Sequence, residues 1–376
     1  MNASPTLDST RGQSDLPLYD AAALTEHATR LLCATGMEPE KSDAVASTLV
    51  EGDLLGHDTH GLAQLAGYLR ELQSGSMRGT GEPVVVAERG ATLLWDGQRL
   101  PGPWLVHKGL DALMPKAREH GVATLVIRRS HHIACLAAYL ARASAAGFVL
   151  LLATSDPYPP SASVAPFGGR KAVFTPNPFA IGIPSGGDPI LVDISASIVT
   201  NAMSARMIAQ GQTAEQPCWL DAQGEASTDP RVLRQTPPGT ILPLGGMASG
   251  HKGFGLALLV EALTAALGGF GRADPPQGPG AAVCLTLYDI DAFAGMPEFT
   301  RQIDWIIDAC VSNPPVPGTA RVRMPGHAGQ QCKRDQLIRG VRLHPAIAAS
   351  LAPFESQYGL TFPSALTSHT AGSAGE

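Results

Sequence analysis

Two nucleotide-binding signatures are missing from this sequence, and so is any long uncharged apolar run. No G-x-G-x-x-G follows a candidate strand; Gly253-Phe254-Gly255 lacks a glycine three residues on. That excludes the Rossmann turn, whose glycines let backbone approach a pyrophosphate. No G-x-x-x-x-G-K-[ST] occurs either, which removes the phosphate loop. The most apolar stretch, residues 254–270, carries Glu261 at its middle. It falls short of the roughly 20 residues that span a bilayer, so no membrane partner is expected. Residues 1–16 are polar, with no signal-peptide core. A formal net charge of -6, a pI near 6.0 and no basic run interleaved with aromatics argue against nucleic acid. Six dispersed cysteines, Cys135 among them, form no C-x-x-C pair. They read as reduced, packed thiols of a cytoplasmic protein.

What is present is a chain built to bury much of itself. Of 376 residues, 44% are hydrophobic and 16% charged, enough for two domains with a substantial core. From Tyr19 to about Ser74 the apolar spacing is helical, through Leu24, Leu31, Leu49 and Leu54, then Leu62, Leu65, Leu69 and Leu72 until Gly75. Short strands are expected at 84–86 and 91–95. A helix over 106–120, a buried strand at 124–127, a helix near 133–146 and a second buried strand at 148–152 follow. Gly121 and Gly147 stop the two helices, so the alternation reads as α/β layering. Extended pieces are expected at 179–181 and 191–193, helices at 196–210, 252–267, 296–311 and 332–340, and a strand at 283–288. Residues 1–16 and 364–376 read as frayed tails.

The densest gathering of ionisable groups is Gly56-His57-Asp58-Thr59-His60-Gly61. It interrupts a helical pattern with glycine, which costs a helix interior about 1 kcal/mol. Histidine changes charge near neutral pH, so proton transfer is the natural reading. The H-x-x-H spacing also puts His57 and His60 on one helix face, as in a metal-dependent hydrolase or a hydrogen-bonded helix end. Ser130-His131-His132 lies where a strand gives way to a helix. Ser130 is expected to cap that helix, which leaves two adjacent histidines for ligand contact. Asp193 ends an apolar strand, either to orient a histidine or to cap the helix near 196. Gly250-His251-Lys252-Gly253 sets a cation at a helix N-terminus. The dipole opposes it unless an anion such as phosphate lies between; a solvated surface lysine is the alternative. Met324-Pro325-Gly326-His327 reads as a turn after a short basic strand with Arg321 and Arg323.

Several segments taken in order carry a resemblance: Gly56 to Gly61, Ser130-His131-His132-Ile133, Val164-Ala165-Pro166-Phe167-Gly168 and Asn177-Pro178-Phe179. Leu191-Val192-Asp193, Thr228-Asp229-Pro230, His251-Lys252-Gly253 and Met324-Pro325-Gly326 continue it. Together they resemble the malate/L-lactate/L-sulfolactate dehydrogenase-like family of NAD(P)-dependent oxidoreductases, over about residues 20–345. The resemblance implies a mixed α/β fold with a non-Rossmann dinucleotide-binding domain over 81–291. A helical domain would be built from both chain ends, 17–80 and about 292–362, and the assembly would be a homodimer. It implies NADPH or NADH as cofactor, and as substrate a small 2-oxo or 2-hydroxy carboxylic acid.

In that likeness the proton-donating histidine falls on His60, its supporting hydroxyl on Thr59 and the relay aspartate on Asp193. Substrate contacts fall on Gln64 and His132. Cofactor contacts fall on His132, Ile133, Ala134, Cys135, Leu136 and Asn177, and on Pro189, Ile190, Leu191, Asp193 and Ser195. His251, Lys252, Gly326 and His327 complete them, and no metal is implied. Departures from the family pattern are Gln64 in place of an arginine, Pro176 in G-T-N-P, Ser195-Ala196-Ser197 for A-T-S, and Ala202-Met203 for a Gly-Lys pair. Glutamine can hydrogen-bond a carboxylate but offers no charged fork, so the pocket is less cationic. Two further readings follow: reduction of a cyclic imine such as a Δ1-piperideine- or pyrroline-2-carboxylate, or a homologue that binds cofactor or metabolite without turnover.

Overall fold

Asp20 opens the first helix by accepting the Ala23 amide at 2.8 Å, and α1 runs Ala21–Ala34. In this computed structural model, which describes residues 16–366 apart from Pro275 and Pro279, ten α-helices surround a seven-stranded sheet. α2 (Pro39–Leu54) starts on a proline, which suits the first helical turn. α3 (Leu65–Ser74) ends at Gly75, whose φ of 75 disfavours any residue with a Cβ. β1 (Val84–Arg89), β2 (Thr92–Asp96), α4 (Gly102–His120), β3 (Val122–Ser130), α5 (Ala137–Ala145) and β4 (Phe148–Ser155) follow. Next come β5 (Pro178–Ile183), β6 (Ile190–Ser195), α6 (Asn201–Ala209), α7 (Gly246–Glu261) and β7 (Ala281–Asp289). α8 (Met296–Val311), α9 (His327–Arg339) and α10 (Pro345–Tyr358) close the chain.

The strand order is β1-β2-β3-β7-β4-β5-β6, with only the β2–β3 pair parallel. Val283 of β7 pairs with Ile127 on one side and Thr154 on the other, so β7 is hydrogen-bonded along both edges. Its Val283, Cys284, Leu285 and Leu287 are fully buried. Burial on both faces along most of its length is why β7 reads as a nearly unbroken apolar run rather than an alternating one.

Three cores result. The sheet packs with Trp104, Leu110, Tyr139 and Leu140 from α4 and α5. Leu31, Leu49, Leu65 and Leu69 of the N-terminal helices share a second cluster with Leu351 and Phe354 of α10, so both ends of the chain meet there. Each such leucine contributes on the order of 1.5–3 kcal/mol by leaving water. The third core gathers Val164, Phe174, Val199, Met207, Trp219 and Ile241 beside a small sheet of Thr240–Ile241, Trp219–Leu220 and Ala226–Ser227. No helix among the described residues is long and apolar enough to cross a membrane.

Several expected boundaries move. The helix expected over 133–146 begins only at Ala137, because Ala134 adopts φ 57, outside the helical region. Ser130 is the last residue of β3, and its hydroxyl bonds the His131 carbonyl at 2.8 Å, so it caps no helix. The helix expected over 196–210 begins at Asn201, capped by the Thr200 hydroxyl on the Met203 amide at 3.1 Å. α7 begins at Gly246, breaks at Ser249 (φ -132), restarts, and passes into a π-turn at Ala262–Ala266. α9 begins at His327 instead of 332, since Gly326 turns the chain directly into it. No strand forms at Arg321 and Arg323, which have no ladder partner. The Leu366 amide donates to the Leu18 carbonyl at 2.7 Å, so the tail expected from 364 is tied in as far as 366. Residues 1–15 and 367–376 lie outside the described residues.

Candidate active site

The segment 56–61 is held from beneath. Asp53, in the last turn of α2 and 4% exposed, accepts the Leu62 amide on Oδ2 at 2.8 Å. A Cβ on Gly61 would lie 2.2 Å from Asp53 Oδ1, so only glycine fits over this carboxyl. Burial pushes Asp53 up to about 8, against the Leu62 hydrogen bond and with help from nearby Asp58. The main chain closes the loop through His57 N–H to the Gly52 carbonyl and His60 N–H to the His57 carbonyl, both 2.8 Å. On this platform the Thr59 hydroxyl meets His60 Nδ1 at 3.0 Å, and the Gln64 amide donates to the Thr59 carbonyl at 2.7 Å. Arg206 of α6 reaches Asp58 at 3.3 Å, an exposed pair that adds little.

The second histidine segment arrives from β3. The His132 and His60 rings stack at 6.0 Å, 28° apart. The Tyr68 hydroxyl lies 2.7 Å from His132 Nδ1, and the Ala134 amide donates to the same nitrogen at 3.3 Å. With Nδ1 accepting, the ring proton belongs on Nε2. Burial, then His60 and His131, push His132 down to about 3, so it is a neutral donor. A cavity of about 230 Å³ opens here, lined by Gln64, Tyr68, Glu71, His131, His132 and Asp156 among others. Tyr68, Glu71 and Asp156 escaped the sequence reading. The first two were findable, since they follow Gln64 at the i+4 and i+7 spacing of one helical face.

Asp193 reaches the site differently from either expectation. Its Oδ2 accepts the Ala137 amide at 2.9 Å, so it caps α5, from 56 residues away, and not the helix near 196. Cys135 Sγ stands 3.9 Å from the same oxygen. Burial raises the Asp193 carboxyl, opposed by His57, the Ala137 amide and His60. His60 in turn is lowered by burial and raised by the charge of Asp193. Asp193 therefore acts on His60 through its field; no hydrogen bond joins them among the described residues. The donor atoms that cluster within 4.8 Å belong to His57, Cys135 and Asp193, not to His57 and His60 as the hydrolase reading required.

The remaining cofactor candidates divide into two groups. Ile133, Ala134, Cys135 and Leu136 are all buried, main chain included, so this segment presents almost no surface to a ligand. Pro189 to Asp193 lie against the α9 turn: the Leu191 amide donates to the Pro325 carbonyl at 3.2 Å, and Gln330 donates to the Pro189 carbonyl at 3.0 Å. A Cβ on Gly326 would come within 2.7 Å of Leu191 Cβ, and His327 follows as the first residue of α9. Ile190 and Ser195 bound β6; the Ser195 hydroxyl bonds the Ser197 carbonyl. Just beyond, the Leu244 amide bonds the Ala196 carbonyl and the Gly253 amide bonds the Leu244 carbonyl. Those contacts bring His251 and Lys252 to the end of β6. Both are exposed, and Lys252 has no ion pair among the described residues where the helix restarts after Ser249. An uncompensated cation at a helix start fits the phosphates of a dinucleotide. Asn177 does not join them. It is 0% exposed and is used up internally, on Thr175, Ala257 and Glu261.

Comparison with known proteins fits this arrangement. The profile of the malate/L-lactate dehydrogenase family matches residues 19–352. L-lactate dehydrogenase of Cupriavidus necator is 31% identical over 344 residues, 89% of this chain and 96% of that protein. Hydroxycarboxylate dehydrogenase B of Escherichia coli is 27% identical, over 91% of this chain and 94% of its own length. The crystal structure of Δ1-piperideine-2-carboxylate reductase from Pseudomonas syringae pvar. tomato superposes with a TM-score of 0.75 at 27% identity, over 90% of this chain and 99% of that one. The chain belongs to the malate/L-lactate dehydrogenase family. It is thus an NAD(P)-dependent oxidoreductase, with its catalytic chemistry built on a fold lacking the Rossmann turn.

Proposed function

We propose that this protein reduces a 2-oxo carboxylic acid to the 2-hydroxy acid, with His60 as proton donor. The observation that carries the reading is His60 itself: a half-buried imidazole fixed by Thr59, within the field of Asp193, its ring 6.0 Å from that of His132 in the cavity wall. When bound, the dinucleotide supplies the hydride. Lys252, with β6 and the turn at Gly326, would hold it. In the protonated state both ring nitrogens of His60 donate: Nδ1 to Thr59 Oγ1, leaving Nε2–H for the substrate oxygen. Asp193 favours that charged state, which burial alone would disfavour. Gln64 and the Nε2–H of His132 are neutral donors for the substrate carboxylate.

The central residues 81–291 would carry the dinucleotide, with the helices of both chain ends as the second domain. A homodimer is part of the reading, supported by exposed Phe293 (67%), Trp305 (70%) and Ile338 (84%). A cytoplasmic setting is supported by six cysteines that are all free. Reduction of a cyclic imine is the second reading, favoured by the likeness to the piperideine-carboxylate reductase. The test is an assay of NADH and NADPH oxidation against 2-oxo acids and cyclic imines. Turnover of a 2-oxo acid with the higher kcat/KM is expected. Exclusive imine turnover exchanges the two readings, and fluorescence quenching without oxidation makes the protein a binder.

A further inference from the structure

The cavity beside His132 runs along one face of α3. Gln64, Tyr68 and Glu71 are stacked over roughly 10 Å of helix rise, beginning four residues past His60. At the near end stand neutral donors, Gln64 and His132. The far end is acidic, with Glu71 from α3 and Asp156 following β4, and no described residue lining the cavity is Lys or Arg. Glu71 Oε2 meets His131 Nε2 at 3.0 Å. Asp156 Oδ1 accepts the Tyr158 amide at 2.9 Å and the Gly280 amide at 3.3 Å, while Oδ2 has no partner among the described residues. His131, also in the wall and 4% exposed, has no hydrogen-bond partner at Nδ1.

A substrate entering with its reacting carbon at His60 would extend its other end toward these carboxylates. An anionic tail would be repelled by both, and an apolar one would cover Asp156 Oδ2 without bonding it, which is costly. A cation would pair with it. We propose that the cavity selects 2-oxo acids whose far end carries a positively charged guanidinium, with Asp156 as its main partner and Glu71 as its second. The proposal rests on the dehydrogenase reading above and names the substrate class for that same site.

The experiment measures kcat/KM for three acyclic substrates of similar length: the 2-oxo acid of arginine, neutral 2-oxohexanoate and anionic 2-oxoadipate. A charge-assisted hydrogen bond predicts a preference of about ten- to a hundredfold for the cation over the neutral acid, with the anion last. Asp156→Asn should lower the cation-to-neutral ratio about tenfold, and Glu71→Gln by less. Gln64→Arg should raise the anion-to-cation ratio. Ratios within one variant do not depend on how much of it folds. Turnover with the anion preferred, or a cation-to-neutral ratio unmoved by Asp156→Asn, overturns the proposal and leaves the dehydrogenase reading standing. Oxidation of neither cofactor with any of the three, nor with a cyclic imine, overturns both.

Discussion

Residues 56–61 and 130–136 are both irregular joints after a regular element, and each carries two histidines, yet the structure treats the two pairs oppositely. His132 lies under Tyr68 with its Nδ1 doubly bonded, and burial drives it to about 3, so it stays neutral across the working range. His60 keeps part of its surface and has the Asp193 carboxyl in its field, which opposes the effect of burial. One ring is a fixed donor; the other can gain and lose a proton. The residue type is the same in both and each is partly exposed, so hydrogen-bond partners and the nearest carboxylate decide the role.

Substituting each member tests that contrast most severely. His60→Ala should lower kcat by ~10²–10⁴, the range of general-acid assistance. His132→Ala should raise KM more than it lowers kcat, because it removes orientation and no proton. Equal losses of kcat in the two variants would dissolve the distinction. A smaller effect is expected in the pH profile. With His60 as the proposed donor, the reduction rate should fall as pH rises through a value below the ordinary 6.5, while alcohol oxidation rises. Asp193→Asn removes the charge that raises His60 and should move that limb to lower pH. A limb that stays in place would mean Asp193 acts only by capping α5.

The last test concerns stability instead of rate. Asp53 titrates near 8 in the folded protein against 3.8 unfolded, so folding takes up a proton between those values and stability falls as pH rises through that window. Asp53→Asn cannot ionise. Its Tm relative to the parent should therefore improve from about pH 5 to about pH 8. A constant difference would show that the parent carboxyl is already charged at the acid end.

How far the sequence could be read follows the same division. The strands at 124–127, 148–152 and 283–288 were legible because each is a mostly apolar run, although Val149, Leu151 and Thr286 are only partly buried and Tyr288 is exposed. The contact of Thr59 with His60 was legible through their motif. The start of α5 was not, since the residues 133–136 have no local reason to avoid a helix; what caps it is Asp193, far along the chain. The small sheet of the third core rests on two-residue strands, too short for any period to show. Asn177 looked like a ligand contact but belongs to the packing of α7, a matter of tertiary neighbours alone. The acid end of the cavity joins α3 to the end of β4, and only folding brings those together.

Gln336 of α9 donates to the Asp53 carbonyl at 2.8 Å and to the Leu54 carbonyl at 3.0 Å, while its own oxygen receives the Arg342 amide. The footing beneath the histidine loop is thus completed by a residue 283 positions later. A ribosome would have to release nearly the whole polypeptide before that support exists. Fragments ending before α9 should therefore emerge without that support for the histidine loop.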